Sequence, residues 1–482
     1  MGTPRRKPHT ASVWDMNAVI SAGLKSTHVK ALLGWLVRHP EIESWDDIGD
    51  SWTSADELRN IPTAARAILH HSFAVLSSKI EACDISADGD TTKLVCALSD
   101  GLRVETVLMR HGKRTTVCVS SQIGCAMGCT FCATGTMGIV GDLTCGEIAE
   151  QVQHGRRLEL RSAIERAEAE GKSAATAVKL TRHSLVRNVV FMGMGEPLNN
   201  YQAVRGAVSQ FVDPSLFGLR PRCVTVSTVG VVPRMKTFVA DLPGVSLALS
   251  LHAPTQEKRE SIMPAARAYP LHRVMGALEG HMAAARPYTP TSKTAMVEYI
   301  MLKDVNDTLA DADELAELLR SHSDQLMVNL IPYNPTDATP EYQRATQQTT
   351  DRFMSTLRAA GILTSVRRTM GSDIAGACGQ LVREQEKHFA AQRSDTATLP
   401  VSSPDIEDIG LTAPKGTGKV QKVRRATRLS SKVLHETPQL AEPASAMRRR
   451  WHFGAEALAA ALFLLLFTVS LALIQHSAVH GF

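Results

Sequence analysis

Residues 117–132 read VCVSSQIGCAMGCTFC, an apolar strand pattern followed at once by three closely spaced cysteines. Cys125, Cys129 and Cys132 have the spacing C-x3-C-x2-C, which allows thiolates in one loop to reach a single soft metal centre. Zinc normally takes a fourth ligand nearby, and no histidine stands at a matching spacing after Cys132. A cubane [4Fe-4S] cluster can be held by three thiolates, which leaves one iron open to a small molecule. The spacing therefore favours an iron–sulfur cluster, with zinc as the alternative.

Short apolar strands alternate with helical stretches from about residue 117 to residue 385. This alternation implies parallel strands joined by right-handed crossovers. Six or so units are too few for a complete eight-stranded barrel, so we expect an incomplete barrel, with an open doubly wound sheet as the alternative. The strand patterns are VCVS (117–120), NVVFM (188–192), VTVS (224–227), SLALS (246–250), MVEYIM (296–301) and MVNLI (327–331).

Small or polar residues follow these strands, where ligands bind in parallel α/β folds. Glu196 in GMGEP can accept a hydrogen bond from an ammonium group, and serine, histidine and asparagine can bond ribose hydroxyls or an adenine edge. Taken alone, GMGEP could be a turn and His252 a buried core histidine. Their common position after the strand ends favours a ligand pocket. The candidate cofactor-binding residues are Gly195, Glu196, Ser227, Ser250, Leu251, His252 and Asn334.

The cysteine loop after a first strand resembles the radical S-adenosylmethionine (SAM) superfamily, and further motifs resemble its RlmN/Cfr family of RNA adenine methyltransferases. These motifs are RVETVLM, CVSSQIGC, GMGEPLNN, VSLALSLHAP, IMLKDVND, NLIPYNP and GACGQL, between about residues 13 and 385. The resemblance leans to the RlmN side, which methylates adenine C2, and CATGTMG and MGSDIAGACGQL resemble its eukaryotic, plant-type branch. Met370 and Tyr333 stand where bacterial members commonly carry Arg and Trp. The resemblance implies a partial (βα)6 barrel that binds one [4Fe-4S] cluster and SAM.

The resemblance also implies catalytic roles for three residues outside the cluster. Cys378 takes a methyl group from one SAM molecule, and a 5′-deoxyadenosyl radical made from a second SAM removes a hydrogen atom from that methyl group. The methylene radical adds to adenine C2, Glu105 accepts the C2 proton, and Cys118 forms a disulfide with Cys378 that frees the methylated base. Without the resemblance, Cys118 is equally a core thiol, Glu105 a solvent-facing strand residue and Cys378 part of a tight turn.

Composition and periodicity divide the chain into five predicted segments. The last one, ALAAALFLLLFTVSLALI, has about the minimum length of a membrane span and follows three arginines at 448–450. It is predicted to be a tail anchor with its basic flank in the cytosol, and a buried apolar helix is the alternative. The segments are a helical accessory domain (13–88), a β-extension (89–116), the radical SAM core (117–385), a disordered basic linker (386–450) and the candidate transmembrane segment (457–474).

The overall composition narrows the class of protein. An odd number of cysteines, nine, and a start without an apolar run argue against a secreted disulfide framework. The net charge of +5 permits an RNA partner without requiring one. We expect a monomeric cytoplasmic enzyme that methylates adenine C2 in 23S-type rRNA, tRNA or both, with a flavodoxin or ferredoxin as reductant. The alternatives are Cfr-like C8 methylation, another RNA substrate, an organelle or membrane-tethered location, and a tethered RNA-binding protein that has lost catalysis.

Overall fold

The structure, a computed structural model, describes residues 8–112, 114–173, 178, 185–289, 293–336 and 339–381. The chain divides into two compact units, Met1–Val401 and Ser402–Phe482, and every described residue belongs to the first. The predicted linker and the predicted span at 457–474 lie outside the described residues. Within the described ranges, no helix is both long enough and apolar enough to span a bilayer.

The first elements are short helices bracketed by a small parallel strand pair. The buried residues Val29, Leu32 and Leu36 recur at three- and four-residue steps, which gives their helix an apolar face. The Trp14 indole donates a 2.9 Å hydrogen bond to the Val75 carbonyl and so joins the start of the chain to the end of this segment. The elements are β1 (Ala11–Ser12), α1 (Met16–Ser21), α2 (Ser26–Arg38), α3 (Ser51–Ser54), α4 (Thr63–Ser72) and β2 (Phe73–Ala74).

An antiparallel meander comes next and forms one side of the large sheet. The sequence predicts a helical domain to residue 88, but α4 ends at Ser72 and a strand occupies Lys79–Ile85. KIEACDI alternates exposed and half-buried side chains, the pattern of a strand at a sheet edge, and this short alternation was missed beside the preceding helices. The strands are β3 (Lys79–Ile85), β4 (Thr91–Ala97), β5 (Arg103–His111) and β6 (Arg114–Cys118).

The remaining elements alternate between strand and helix, as the sequence predicts. All six predicted strands are present, with the first of them forming β6. Three further strands in this part of the chain, β7, β8 and the short β14, were not predicted. The elements are β7 (Gln122–Cys125), α5 (Ala133–Thr136), β8 (Gly138–Asp142), α6 (Cys145–Ala169), β9 (Asn188–Phe191), α7 (Tyr201–Val212), β10 (Val224–Thr228), α8 (Val232–Asp241), β11 (Ser246–Ser250), α9 (Gln256–Ile262), α10 (Leu271–Ala285), β12 (Ala295–Met301), α11 (Leu309–Leu319), β13 (Leu326–Pro332), α12 (Gln347–Ala359) and β14 (Thr364–Val366).

Ten strands form one sheet in the order β14-β13-β12-β11-β10-β9-β6-β5-β4-β3. From β6 to β14 neighbouring strands are parallel. The strands follow one another in chain order across this part of the sheet, with only β7 and β8 left out of it. A doubly wound sheet reverses its strand order at a switch point, and no reversal occurs here. The strand order therefore favours the predicted incomplete barrel over the doubly wound alternative. The hairpin of β7 and β8 stands apart from this sheet and carries the first cysteine of the cluster motif.

Helix α6 joins the sheet to the N-terminal helices. Gln151 accepts a 2.8 Å hydrogen bond from Thr106 of β5. Two residues later, Gln153 donates a 2.8 Å hydrogen bond to the carbonyl of Leu36 in α2. Because one of these side chains bonds to the sheet and the other to α2, α6 fixes the meander and the N-terminal helices relative to the parallel strands.

Candidate active site

Cys125 ends β7, and Cys129 and Cys132 lie in the loop between β7 and α5. The three cysteines line one cavity, together with residues from the carboxyl ends of β9, β10 and β11. Gly135 packs directly against this loop. A Cβ atom at Gly135 would lie 2.6 Å from the Cys129 carbonyl oxygen, so only glycine fits there. The structure therefore brings the three predicted metal ligands to one cavity.

Burial controls the chemical state of these thiols. It raises the pKa of Cys125 to about 12 and raises the pKa of Cys129 and Cys132. Metal binding replaces the thiol proton, so such thiols act as ligands once a metal is present. Among the described residues, no three metal-ligating side chains converge on a single ion. A cubane cluster offers each thiolate a separate iron, so three spaced thiols around one cavity fit a [4Fe-4S] cluster.

Gly195 and Glu196 follow β9 and line the same cavity. Gly195 has a φ of +98°, and a Cβ atom there would lie 2.5 Å from the Cβ of Gln122. The buried Glu196 carboxylate accepts hydrogen bonds from the backbone N–H groups of Val229 at 2.8 Å and Leu198 at 2.9 Å. Burial raises the pKa of Glu196 to about 7. The two amides and the Thr228 hydroxyl orient the carboxylate, and its two oxygens have four acceptor positions, which leaves room for a hydrogen bond from a ligand.

Ser227, Ser250 and His252 also line this cavity, and the two serine oxygens lie 3.1 Å apart. The Nδ1 atom of His252 accepts a 3.1 Å hydrogen bond from the Ile300 N–H, so Nε2 carries the hydrogen and can donate it. Burial lowers the pKa of His252 to about 3, and the ring is neutral at physiological pH. The side chain of Leu251, also a candidate, packs in the hydrophobic core and does not line the cavity.

A smaller cavity adjoins the first and is lined by Cys118 and Cys378. Cys378 is exposed to solvent and lines both cavities, whereas Cys118 is buried. The candidate Asn334 lines only the smaller cavity. Its Nδ2 atom donates a 3.1 Å hydrogen bond to the Cys378 carbonyl, and its Oδ1 atom accepts one of 2.7 Å from Arg344. The observed contacts of Asn334 therefore position the loop that carries Cys378.

Hydrogen bonds also join the loop of Cys378 to the cluster motif. The Ala133 N–H, next to Cys132, donates to the Gly379 carbonyl at 2.9 Å. The Thr134 hydroxyl donates to the Leu381 carbonyl at 3.3 Å. These contacts link two segments that are more than two hundred residues apart in the chain, and they place Cys378 beside the cysteine-lined cavity.

Glu105 lies in β5, buried, on the face of the sheet that borders the smaller cavity. Side chains alternate along a strand, so Glu105 shares a face with Val107 and Met109, which both line that cavity. Val107 pairs with Cys118 across the β5–β6 ladder. The three predicted catalytic residues therefore lie on one side of the molecule, around or next to the same cavity.

Two charged residues that the sequence patterns did not predict also line the main cavity. Glu298 lies in β12, and burial raises its pKa. Arg367 follows β14, and its Nη1 atom lies 3.9 Å from Glu298 Oε2. A lone acidic residue within the apolar pattern MVEYIM was a usable signal for Glu298. Arg367 follows a strand of only three residues, which gives no periodic pattern.

Comparison with known proteins agrees with this arrangement. The chain is 39% identical over 336 residues to the "Probable dual-specificity RNA methyltransferase RlmN" of Symbiobacterium thermophilum, which covers 69% of this chain and 82% of that protein. A protein of the same name from Frankia alni is 40% identical over 335 residues, covering 68% of this chain and 73% of the relative.

A solved structure has the same fold and a related sequence. The crystal structure of a radical SAM methyltransferase from Sphaerobacter thermophilus matches with a TM-score of 0.61 and 34% identity, over 77% of this chain and 98% of that one. No family model matches the chain. Identity at this level over most of each relative confirms the resemblance found in the motifs, and the chain belongs to the RlmN family of radical SAM RNA methyltransferases.

Proposed function

We propose that this protein methylates C2 of adenine in 23S-type rRNA, in tRNA or in both. The position of Cys378 carries the proposal. This thiol lines the cavity of the cluster cysteines and also the cavity of Cys118. A carrier that receives a carbon at one site and passes it to a base at the other must have access to both.

The chain's own residues fit the cofactors that this family uses. When bound, the [4Fe-4S] cluster and SAM supply a methyl group and a carbon-centred radical. Glu196 is proposed to accept a hydrogen bond from the ammonium group of SAM, while the serine and histidine side chains bond its ribose or adenine. Cys125, Cys129 and Cys132 would hold the cluster, and Gly195, Glu196, Ser227, Ser250 and His252 would contact SAM.

A thiol carrier is needed because adenine C2 does not react directly with the methyl group of SAM. Adenine C2 is an electron-poor carbon that does not attack a methyl sulfonium, so direct displacement fails. Cys378 is proposed to carry the carbon as a thioether, and loss of a hydrogen atom to the SAM-derived radical would let that carbon add to C2. Glu105 is proposed to accept the proton that leaves C2, and the one unpaired electron of the adduct would pass to the bound cluster. Cys118 then attacks the Cys378 sulfur. The electron pair of the broken C–S bond passes to the carbon, which takes a proton to become the methyl group, and the disulfide is reduced afterwards.

The proposal includes an RNA that presents an accessible adenine. A base within folded RNA must be unstacked or flipped out before its C2 atom reaches Cys378. The relatives' printed name, a dual-specificity RNA methyltransferase, supports an RNA substrate. We further propose a partial (βα)6 barrel, a monomer and a flavodoxin- or ferredoxin-type electron donor. The predicted segment boundaries and the span at 457–474 stay predictions.

Nucleoside analysis tests this function directly. Mass spectrometry would compare nucleosides of rRNA and tRNA, purified separately, from cells with and without the gene. We expect 2-methyladenosine to disappear from at least one RNA class. Loss of 8-methyladenosine instead would assign Cfr-like regiochemistry. Unchanged nucleosides, together with anaerobically reconstituted protein that binds no iron and cleaves no SAM, would favour a tethered RNA-binding protein without catalysis.

A further inference from the structure

Lys93 is a buried cation in β4 to which the proposed reaction assigns no role. Its Nζ atom lies 3.5 Å from Asp84 Oδ2 and 4.0 Å from Glu105 Oε1. The side chains of Lys93 and Glu105 are 2% and 3% exposed, whereas that of Asp84 is 41% exposed. Burial of an uncompensated charge costs several kcal/mol, so a lysine in this position needs nearby carboxylates. The buried one of these two carboxylates, Glu105, is the proposed proton acceptor.

The sheet register places this lysine on the face that borders the smaller cavity. Lys93 pairs with Val107, and Val107 pairs in turn with Cys118. Because side chains alternate along each strand, Lys93, Glu105 and Cys118 all project from one face. Val107 and Cys118 line the smaller cavity together with Cys378. The ammonium group therefore lies on the side of the sheet where the proposed chemistry occurs.

The backbone of Glu105 is held by contacts that do not involve Lys93. The Ser120 hydroxyl donates a 2.6 Å hydrogen bond to the Glu105 carbonyl and accepts one of 3.0 Å from the Met194 N–H. The next residue, Thr106, is held by Gln151 of α6. These contacts fix the main chain of β5. The charge and orientation of the Glu105 carboxylate therefore depend on the side chains around it, which include Lys93.

We propose that Lys93 is a positioning residue that keeps the Glu105 carboxylate ionised and oriented to accept the C2 proton. This inference rests on the proposed role of Glu105. At 4.0 Å the two groups are too far apart for a hydrogen bond, so Lys93 acts through Coulombic attraction, which is stronger in a dry interior than in water. Only the ionised carboxylate can accept a proton. After the transfer, Asp84 still compensates the lysine charge.

A single-turnover assay on the full-length, cluster-loaded protein can isolate the step at which Glu105 acts. The assay measures 5′-deoxyadenosine, the covalent adduct between protein and RNA, and the methylated base, with the RNA class that the nucleoside analysis identifies. Lys93→Met keeps the side-chain length and removes the charge, and Lys93→Arg keeps the charge. We expect Lys93→Met to form 5′-deoxyadenosine at the wild-type level, to accumulate adduct and to release product about 10- to 100-fold more slowly. Lys93→Arg should recover most of this loss.

Two further variants distinguish positioning from a structural role. In a Glu105→Gln background, Lys93→Met should slow product release no further, because the group through which it acts is already neutral. The double variant leaves neither buried charge uncompensated, so it remains informative if Lys93→Met alone does not fold. Glu81→Gln is the matched control. It removes another exposed carboxylate of β3, one that pairs with Arg103 and not with Lys93, and should change product release by less than about twofold.

The contrary results of these experiments distinguish an error about Lys93 from an error about Glu105. Three outcomes would each overturn the role of Lys93. Lys93→Met could resolve the adduct at the wild-type rate, or it could slow the formation of 5′-deoxyadenosine and of product equally. It could also slow product release further in the Glu105→Gln background. If Glu105→Gln alone accumulates no adduct, the proposed role of Glu105 is wrong instead, and with it the premise for Lys93.

Discussion

The thiols of Cys378 and Cys118 border the same small cavity but differ in exposure. Cys378 is open to solvent, as a group that must meet more than one reactant needs to be. Cys118 is buried, and burial raises its pKa to about 12, which makes it a weak nucleophile until its surroundings change. Desolvation of its sulfur raises the pKa of Cys378 as well, so the two thiols differ in access and not in the direction of their pKa shifts. The difference in access fits an accessible carrier and a protected second thiol.

Replacing the proposed carrier gives a sharp prediction at this scale. Cys378→Ala should abolish the methylated base and leave the iron content of the reconstituted protein unchanged, because the variant removes the carrier and none of the proposed cluster ligands. Cys83→Ala, which removes another exposed thiol in β3, is the matched control and should keep full turnover. Iron analysis and product quantification check both variants. Full turnover by Cys378→Ala would refute the carrier role.

The buried carboxyl of Glu196 predicts a pH-dependent stability. Because burial raises its pKa from 4.5 to about 7, the folded chain holds a proton that the unfolded chain releases. The stabilisation from this group is complete below about pH 4.5 and is lost as the pH rises through 7. Between pH 5 and 8, the cluster-free wild type should lose about 2 to 3 kcal/mol of unfolding free energy relative to Glu196→Gln. Urea unfolding at both pH values measures this, and a pH-independent difference would contradict it.

At the scale of elements, the site depends on how three loops meet beyond the parallel strands. The cysteine motif, the GMGEP loop after β9 and the loop with Cys378 are each short. Backbone hydrogen bonds join the Cys378 loop to the residue after Cys132, and join Met194 of the GMGEP loop to Ser121 and Gln122, just before the motif. Gly135 and Gly195 allow two of the closest approaches. Because these approaches involve main-chain atoms or a buried side chain, they cannot relax as a contact with a flexible surface side chain can.

Gly135→Ala should therefore disturb the cluster loop. The new Cβ atom would meet the Cys129 carbonyl oxygen at 2.6 Å and the Cys129 nitrogen at 2.9 Å, so the loop must shift. We expect the iron content per chain to fall several-fold while the helical circular dichroism stays close to that of the wild type. Gly276→Ala, within α10 and with no heavy atom inside 4 Å of the new Cβ, should retain iron and gain roughly 0.5–1 kcal/mol of stability. Full iron loading of Gly135→Ala would show that the loop adapts.

At the scale of the whole molecule, every candidate site residue lies in the unit Met1–Val401. The sheet supplies the strand ends, and α6 joins the N-terminal helices to it. The segments beyond Val401 contribute none of the groups described at the site.

A chain that ends at Val401 should therefore bind iron and methylate RNA in vitro at a rate within about twofold of the full chain, because the site and its supporting core are retained. The predicted span at 457–474 is tested in the same experiment by cell fractionation. We expect the full chain to resist extraction from membranes and the shorter chain to be free of them. An inactive shorter chain would show that the C-terminal segment has a catalytic or folding role.

The sequence by itself determined the features that depend on local spacing. The cysteine motif, the six strand patterns and the polar residues at the strand ends follow from neighbours in the chain, and the structure places most of them around one cavity. The edge strand β3, the β7–β8 hairpin and the three-residue strand β14 were missed because their patterns are too short or weak to stand out.

Only the tertiary structure decided which distant residues meet. The 4.0 Å approach of Lys93 to Glu105, the pairing of Arg367 with Glu298 and the hydrogen bond from Asn334 to the Cys378 loop have no trace in local sequence. Each depends on strand register or on loops that meet across the sheet, and a register shift of one residue would turn the side chains to the opposite face. Contacts of this kind arise from the packing of the whole chain, because no short segment contains both partners.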